Sequence, residues 1–245
     1  MNIRQYIPNT LTTLNLICGL VSLTMVLSGN LTGAGVMIFL ATIFDFLDGA
    51  MARLLKAYSE LGKQLDSLAD LVSFGVAPGL IMYQLLSISC TGSCNIFERL
   101  SITPYLALLI PVCSALRLAK FNVDLRQEVN FIGLPTPANA IFFASIPLVL
   151  NVQPQLFSLL PFPWITGFFS NSRILTILVI FFSYLLISEF RIFSMKFKSL
   201  SWKENKVRYS FLIISLILLV LFSINAFPMI IILYVLMSIF LMQEG

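Results

Sequence analysis

The sequence predicts an all-α, polytopic membrane protein: a bundle of about eight spanning helices within a single domain that comprises residues 1–245. Hydrophobic residues make up 58% of the chain and charged residues only 11%, whereas an average soluble domain carries roughly 25% charged residues. The mean hydropathy is +0.95. These values exclude a soluble globular domain, and the apolar residues fall into windows long enough to cross a bilayer as helices.

The predicted spans, in chain order, are windows that approach the ~20 apolar residues a spanning helix needs. They are residues 9–29, 33–56, 66–88, 103–121, 136–152, 174–191, 208–224 and 226–243. Between the fifth and sixth windows, residues 153–172 carry three prolines and Trp164 among apolar residues, which is typical of an interfacial loop on the outer side.

The segment from Ile7 to Asn15 predicts the start of the first helix, because Pro8 stands at an early position and Asn or Thr side chains are available as caps. No A-x-A-like cleavage site follows, so we expect this segment to remain as the first span. Among the four cysteines, Cys18 and Cys113 fall within spans and are expected to pack there. Cys90 and Cys94 flank a short outer segment, and both a disulfide and free thiols remain open.

Basic residues predict the orientation of the bundle. Placing the N-terminus in the cytoplasm leaves only Arg99 and Arg173 outside, and the C-terminus then also lies in the cytoplasm. The net charge of +4 is therefore a topology signal with some attraction to anionic lipid, and we expect no nucleic-acid binding. The cytoplasmic set is Arg4, Arg53, Lys56, Lys63, Lys120, Arg126, Arg191, Lys196, Lys198, Lys203, Lys206 and Arg208.

Four aspartates mark the predicted site, within the string D-x2-D-G-x2-A-R-x8-G-x3-D-x3-D. Asp45 and Asp48 share one helix face, Asp66 and Asp70 share a face of the next helix, and a hairpin between them makes all four converge. An ion pair or a helix cap is the alternative for a single aspartate. Ionisable residues within spans usually line a site, and four carboxylates suit one or two Mg²⁺ or Mn²⁺ ions.

The other residues of the string have two interpretations each. Gly49 and Ala52 form either a small-residue seam for helix packing or a bare surface that receives a nucleotide. Arg53 is either a juxtamembrane anchor or a bidentate phosphate ligand. Gly62 is either a turn glycine or part of the site. The chain contains no histidine, so a carboxylate is the available general base.

The complete string resembles the signature of the CDP-alcohol phosphatidyltransferase family, membrane enzymes that transfer a phosphatidyl-type group from a CDP-linked lipid to an alcohol and release CMP. The resemblance implies Asp70 as the base and a homodimer, while the balance of four carboxylate charges favours two divalent ions on the aspartates. It also implies a CDP-lipid site that includes Gly49, Ala52, Arg53 and Gly62. The opening P-N-x2-T-x2-N adds Asn9 and Thr12 to that site.

Further blocks, D-S-L-A-D-x2-S-F-G-x-A-P from Asp66, A-L-R-L-A-K-F-N from Ala115 and F-I-G-L-P-T-P-A from Phe131, resemble bacterial phosphatidylserine synthases over residues 7–140. This resemblance implies CDP-diacylglycerol and L-serine as substrates, in a bacterial cytoplasmic membrane with the site facing the cytoplasm. Arg117, Lys120 and Asn122 are candidates to bind serine or phosphate, and snorkelling is their alternative. Other acceptors, glycerol 3-phosphate or an inositol compound, remain open, as does a cation- or proton-coupled transporter.

Overall fold

The structure, a computed structural model, describes residues 3–91, 102–123, 131–151, 163–192, 202 and 205–241. This part of the chain is helical apart from one pair of two-residue strands, which confirms the predicted fold class. The elements are α1 (Ile3–Leu27), α2 (Leu31–Leu54), α3 (Glu60–Asp70), a π-helical segment (Leu71–Val76), α4 (Ala77–Thr91), a 3₁₀ turn (Thr103–Leu108), α5 (Leu109–Val123), β1 (Phe131–Ile132), α6 (Thr136–Asn151), α7 (Pro163–Ser170), α8 (Ser172–Ile187), β2 (Arg191–Ile192), α9 (Lys206–Phe222), a 3₁₀ turn (Ser223–Asn225) and α10 (Ala226–Leu241).

Among the described residues, five segments are long and apolar enough to cross a membrane. The last of them, Lys206–Ile239, contains α9 and most of α10, which are divided at Ser223, a residue with φ of 51°. Helices α6 and α8 are shorter and apolar. Each predicted window thus contains helical structure over most of its described residues, while the number of spans and the cytoplasmic position of the two ends stay predictions. The five segments are Gln5–Leu27, Leu31–Leu54, Glu60–Ser89, Thr103–Val123 and Lys206–Ile239.

The predictions for the start of the first helix and for its caps are wrong. Helix α1 begins at Ile3, so Pro8 lies inside the helix rather than at its start. The hydroxyls of Thr10 and Thr13 donate to the carbonyls of Tyr6 and Asn9, four residues earlier, and therefore act within the helix and not as caps.

The expected outer loop also contains regular structure, because Pro163–Ser170 forms α7. Ile165 and Phe169 lie four residues apart on one face of α7 and are buried in the core with residues of α6 and α8. Their burial explains why an apolar, proline-containing segment becomes a packed helix here. Residues 153–162 and the pairing of Cys90 with Cys94 lie outside the described residues.

Small residues let the first helices pack closely. A Cβ atom on Gly35 of α2 would overlap the backbone carbonyl of Ala144 in α6, and one on Gly19 of α1 would overlap Ser73 in the π-helical segment. Such close approach is characteristic of helix pairs in membranes. It holds the α1–α2 hairpin against the part of the chain that carries Asp66 and Asp70.

A π-helical segment joins α3 to α4 and begins directly after Asp70. Its wide turn ends where the amide of Ala77 donates to the carbonyl of Val72, five residues earlier. Pro78 follows and has no amide hydrogen for a regular helical bond, so the widening occurs where the α-helical ladder is already interrupted. π-Helical turns are frequent at functional sites.

The segment before α6 is fixed by the end of α8. Strand β1 pairs antiparallel with β2, with Phe131 opposite Ile192. The amide of Gly133 donates to Phe190 at 2.8 Å, and the amide of Leu134 donates to Leu185 at 3.0 Å. Gly133 has φ of +75°, which favours glycine. The G-L-P-T-P-A block is therefore a clamped turn that leads into α6.

Candidate active site

The hairpin between α2 and α3 brings three carboxylates together. Helix α2 ends at Leu54, and Ser59 caps α3 by accepting the amide hydrogen of Gly62 at 3.0 Å. Across this short turn, carboxylate oxygens of Asp45, Asp48 and Asp66 lie within 4.8 Å of one another. The helical spacing of the motif therefore produces the convergence that the sequence predicts for these three residues.

Helix α1 orients two of the four aspartates by hydrogen bonds. The hydroxyl of Thr12 donates to Oδ2 of Asp48 at 2.7 Å. The amide of Asn15 donates to Oδ1 of Asp70 at 3.1 Å, and the hydroxyl of Ser73 donates to the backbone carbonyl of Asn15 at 3.0 Å. All of these side chains are buried, so the rotamers of Asp48 and Asp70 are fixed from the side of α1.

The fourth aspartate stands slightly apart. Asp70 is not within the group of three, but it lies in electrostatic range of Asp45 and Asp66. It is 8% exposed, and its carboxylate forms part of the wall of a cavity. Asp70 therefore borders the cluster from the interior of the bundle.

The cluster fits a divalent cation. Oxygen ligands from three carboxylates are the donors that Mg²⁺ and Mn²⁺ prefer. Oδ1 of Asp66 is buried and has no hydrogen-bond partner among the described residues, and such an atom is costly unless something binds it. The cluster of Asp45, Asp48 and Asp66 is thus suited to holding a metal ion.

A first cavity, of about 650 Å³, opens between α1, α2 and α3. The nearest atom to a Cβ built on Gly49 is Nη1 of Arg53, at 3.5 Å, so no neighbouring helix packs against this glycine. A Cβ on Gly62 would lie 2.9 Å from Oδ1 of Asn9. Gly49 therefore presents a bare face to the cavity, whereas Gly62 lies in close contact with Asn9 and with Ser59, the cap of its own helix. The lining of the cavity includes Asn9, Thr12, Asp48, Gly49, Ala52, Arg53, Tyr58, Gly62, Lys63 and Asp66.

A second cavity, of about 490 Å³, lies deeper among α3, α5, α6 and α10. Arg117 is 6% exposed there, and its Nε has no hydrogen-bond partner among the described residues. Arg53, Lys63 and Asp66 line both cavities. The two cavities therefore meet at the carboxylate cluster. The lining of the second also includes Ser67, Asp70, Asn122, Thr136 and Tyr234.

Comparison with known proteins identifies the family to which this chain belongs. The sequence model of the family described as CDP-alcohol phosphatidyltransferase matches residues 5–172, which contain all four aspartates. The chain belongs to this family. The matched residues contain the carboxylate cluster and the whole lining of the first cavity.

Several curated relatives have related sequences. A protein of Bacillus subtilis named CDP-diacylglycerol–serine O-phosphatidyltransferase is 39% identical over 146 residues, which are 60% of this chain and 75% of that protein. One of the same name from Mycobacterium leprae is 37% identical over 61% of this chain, but only 48% of its own length is matched. An archaetidylserine synthase of Methanothermobacter thermautotrophicus is 35% identical over 58% of each chain.

The structure sorts the predicted site residues of this family member into two groups. All six predicted CDP-lipid residues line the first cavity, whereas Arg117 and Asn122 line the second. Lys120 is exposed and is not among the residues that line the second cavity. The amide of Asn122 donates to the hydroxyl of Ser67 at 2.8 Å, which ties α5 to α3. The six are Asn9, Thr12, Gly49, Ala52, Arg53 and Gly62.

Sequence reasoning missed three residues of the site. Asn15 holds Asp70, Lys63 lines both cavities, and Tyr234 contributes to the second from the last helix. The position of Asn15, three residues after Thr12 and so on the same face of α1, was a usable signal. Lys63 directly follows Gly62 of the motif. Nothing local marks Tyr234, because its place depends on how α10 packs.

Proposed function

We propose that this protein transfers the phosphatidyl group of CDP-diacylglycerol to the hydroxyl of L-serine, giving phosphatidylserine and CMP. The observation that carries the proposal is the meeting of two cavities at one carboxylate cluster. The first cavity has the bare face of Gly49 and the side chain of Arg53 in its lining, and the second has the buried Arg117. The names of the serine-using relatives support the choice of acceptor.

We assign the donor to the first cavity. The faces of Gly49 and Ala52 leave room for the cytidine part, and Arg53 is placed to contact the pyrophosphate through charge-assisted hydrogen bonds. Asn9 and Thr12 border the same space from α1. Diacylglycerol chains then extend into the lipid, which surrounds the exposed apolar faces of these helices.

The four aspartates would hold two divalent ions, with Asp45, Asp48 and Asp66 supplying most ligands. Such ions, when bound, neutralise charge on the pyrophosphate and on departing CMP. Thr12 holds Asp48, and Asn15 holds Asp70, in fixed orientations toward the cluster. The chain therefore contributes ligands on α2 and α3, and α1 holds two of them in place.

The acceptor is assigned to the second cavity. The guanidinium of Arg117 binds the serine carboxylate, and Asp70 accepts the proton of the serine hydroxyl. The serine oxygen forms a bond to the phosphorus that carries diacylglycerol, the pyrophosphate P–O bond breaks, and CMP leaves with the bridging oxygen. Arg117 lies in electrostatic range of Asp70, which suits an acceptor whose carboxylate and hydroxyl are only two carbons apart.

We place the enzyme as a homodimer in the bacterial cytoplasmic membrane, with residues 1–245 as one domain and the site open to the cytoplasm. Basic residues at the α2–α3 turn and at the cytoplasmic end of α5 support this orientation. Serine and the CDP-lipid then reach the site from the same side.

The test is an assay of the detergent-solubilised full chain with CDP-diacylglycerol and Mg²⁺ or Mn²⁺. CMP is expected when L-serine is added and not when glycerol 3-phosphate or myo-inositol is added, and the lipid product carries a primary amine. Faster turnover with either other acceptor contradicts the serine assignment within the family. If no acceptor gives metal-dependent CMP release, the transferase activity itself is contradicted, and a cation- or proton-coupled transporter becomes the better interpretation.

A further inference from the structure

The last helix, α10, reaches the second cavity through one side chain. Tyr234 is 8% exposed and lines this cavity together with Asp70 and Arg117. Helix α10 lies beyond residue 172, where the match to the family ends. The catalytic half of the chain therefore does not enclose the acceptor cavity by itself.

Tyr234 lies near the buried Arg117. The two residues are in electrostatic range of each other, and the hydroxyl is the only polar group of the tyrosine side chain. Arg117 is also in electrostatic range of Asp70. All three residues line the second cavity.

The composition of α10 makes this phenol unusual. Of its 16 residues, only Tyr234 and Ser238 carry side-chain oxygen or nitrogen atoms. The hydroxyl of Ser238 donates within the helix, to the carbonyl of Tyr234 at 2.7 Å. The ring of Tyr234 packs against Phe211 of α9 with centroids 5.7 Å apart. The ring is thus held by packing in a residue that lines the cavity, and a buried tyrosine hydroxyl usually has a polar partner.

We propose that Tyr234 is a specificity-determining residue for the acceptor: its hydroxyl donates a hydrogen bond to the same carboxylate that Arg117 binds. The inference rests on the proposed function, because it requires an acceptor with a carboxylate. Two donors from different helices define the position of that carboxylate better than one guanidinium. They thereby place the hydroxyl of serine, two carbons away, beside Asp70.

The test is Tyr234→Phe, which keeps the ring and its contact with Phe211 and removes one oxygen. We expect the KM for serine to rise by on the order of 10-fold, the size typical for a lost hydrogen bond to a charged group, with the KM for CDP-diacylglycerol unchanged. Tyr184→Phe is the matched control, since Tyr184 on α8 is 57% exposed. Its kinetics should equal those of the wild type.

An active Tyr234→Phe variant with an unchanged KM for serine overturns the inference, and so does an equal rise in both KM values, which indicates a packing effect. A double variant with Arg117→Lys gives a second measurement. Because both residues contact one carboxylate, its KM for serine should rise less than the product of the single effects. A KM for serine that rises by the full product of the two single effects contradicts the shared contact. Failure of the proposed function is distinguishable from failure of this inference, because in the first case the wild-type protein itself releases no CMP with serine.

Discussion

Replacing Asn15 with leucine removes the hydrogen bond that orients Asp70. Asn15 is fully buried, and its amide donates to Oδ1 of Asp70 at 3.1 Å. A hydrogen bond to a charged group contributes about 1.5 to 3 kcal/mol, and ~1.36 kcal/mol corresponds to tenfold in rate. If the bond holds Asp70 in its reactive orientation, kcat falls by about 10-fold to 150-fold. The KM for CDP-diacylglycerol stays unchanged, because Asn15 does not line the donor cavity.

The variant is expected to fold. Leucine is similar to asparagine in size, and Oδ1 of Asn15 already has no hydrogen-bond partner among the described residues, so the substitution also removes an unsatisfied acceptor. Asn151→Leu is the control: it breaks an exposed hydrogen bond to Thr32 between the ends of α6 and α2. The assay is CMP release at saturating serine. Wild-type kcat in Asn15→Leu, or equal losses in both variants, refutes the positioning role.

Four further results are expected. Asp70→Asn should abolish CMP release while metal-dependent binding of CDP-diacylglycerol persists, because the base is lost and most metal ligands remain; near-normal turnover removes Asp70 from that role. Gly62→Ala, which places a Cβ 2.9 Å from Oδ1 of Asn9, should raise the KM for CDP-diacylglycerol but not for serine, and an unchanged donor KM contradicts the assignment of the first cavity. Gly133→Ala should lower the melting temperature of the solubilised protein, since a left-handed conformation costs a residue with a Cβ about 1 to 3 kcal/mol. In a cysteine-free background, Lys56→Cys should be shielded from an impermeant thiol reagent on intact cells and Ser28→Cys labelled; the reverse pattern inverts the topology.

The helical architecture and the carboxylate cluster could be predicted from the sequence because both depend on local periodicity. Apolar windows locate helices, and carboxylates at helical spacing on either side of a short turn must converge. The spacing left two roles open for Gly49, and its position on a cavity wall, with no helix packed against it, favours a ligand-binding surface over a packing seam.

The π-helical turn and the position of Tyr234 could not be predicted, because both depend on contacts between elements that are distant in the sequence. The π-helical turn after Asp70 has no marker in the sequence beyond Pro78, and it sets how Ser73 meets α1. Tyr234 reaches the acceptor cavity only because α10 packs beside α6 and α9. Such positions follow from tertiary packing, which no motif near residue 234 encodes.

The division of the site into two chambers has a kinetic consequence. The cavities of about 650 Å³ and about 490 Å³ meet at Asp66, and on the proposed assignment one holds the donor and the other the acceptor, so neither substrate must leave before the other enters. Both substrates are then bound when the bond from phosphorus to CMP breaks and the bond to serine forms. Initial rates measured over a grid of the two substrate concentrations should therefore give double-reciprocal lines that intersect. Parallel lines instead require that CMP departs first and that the chain itself carries the phosphatidyl group between two half-reactions.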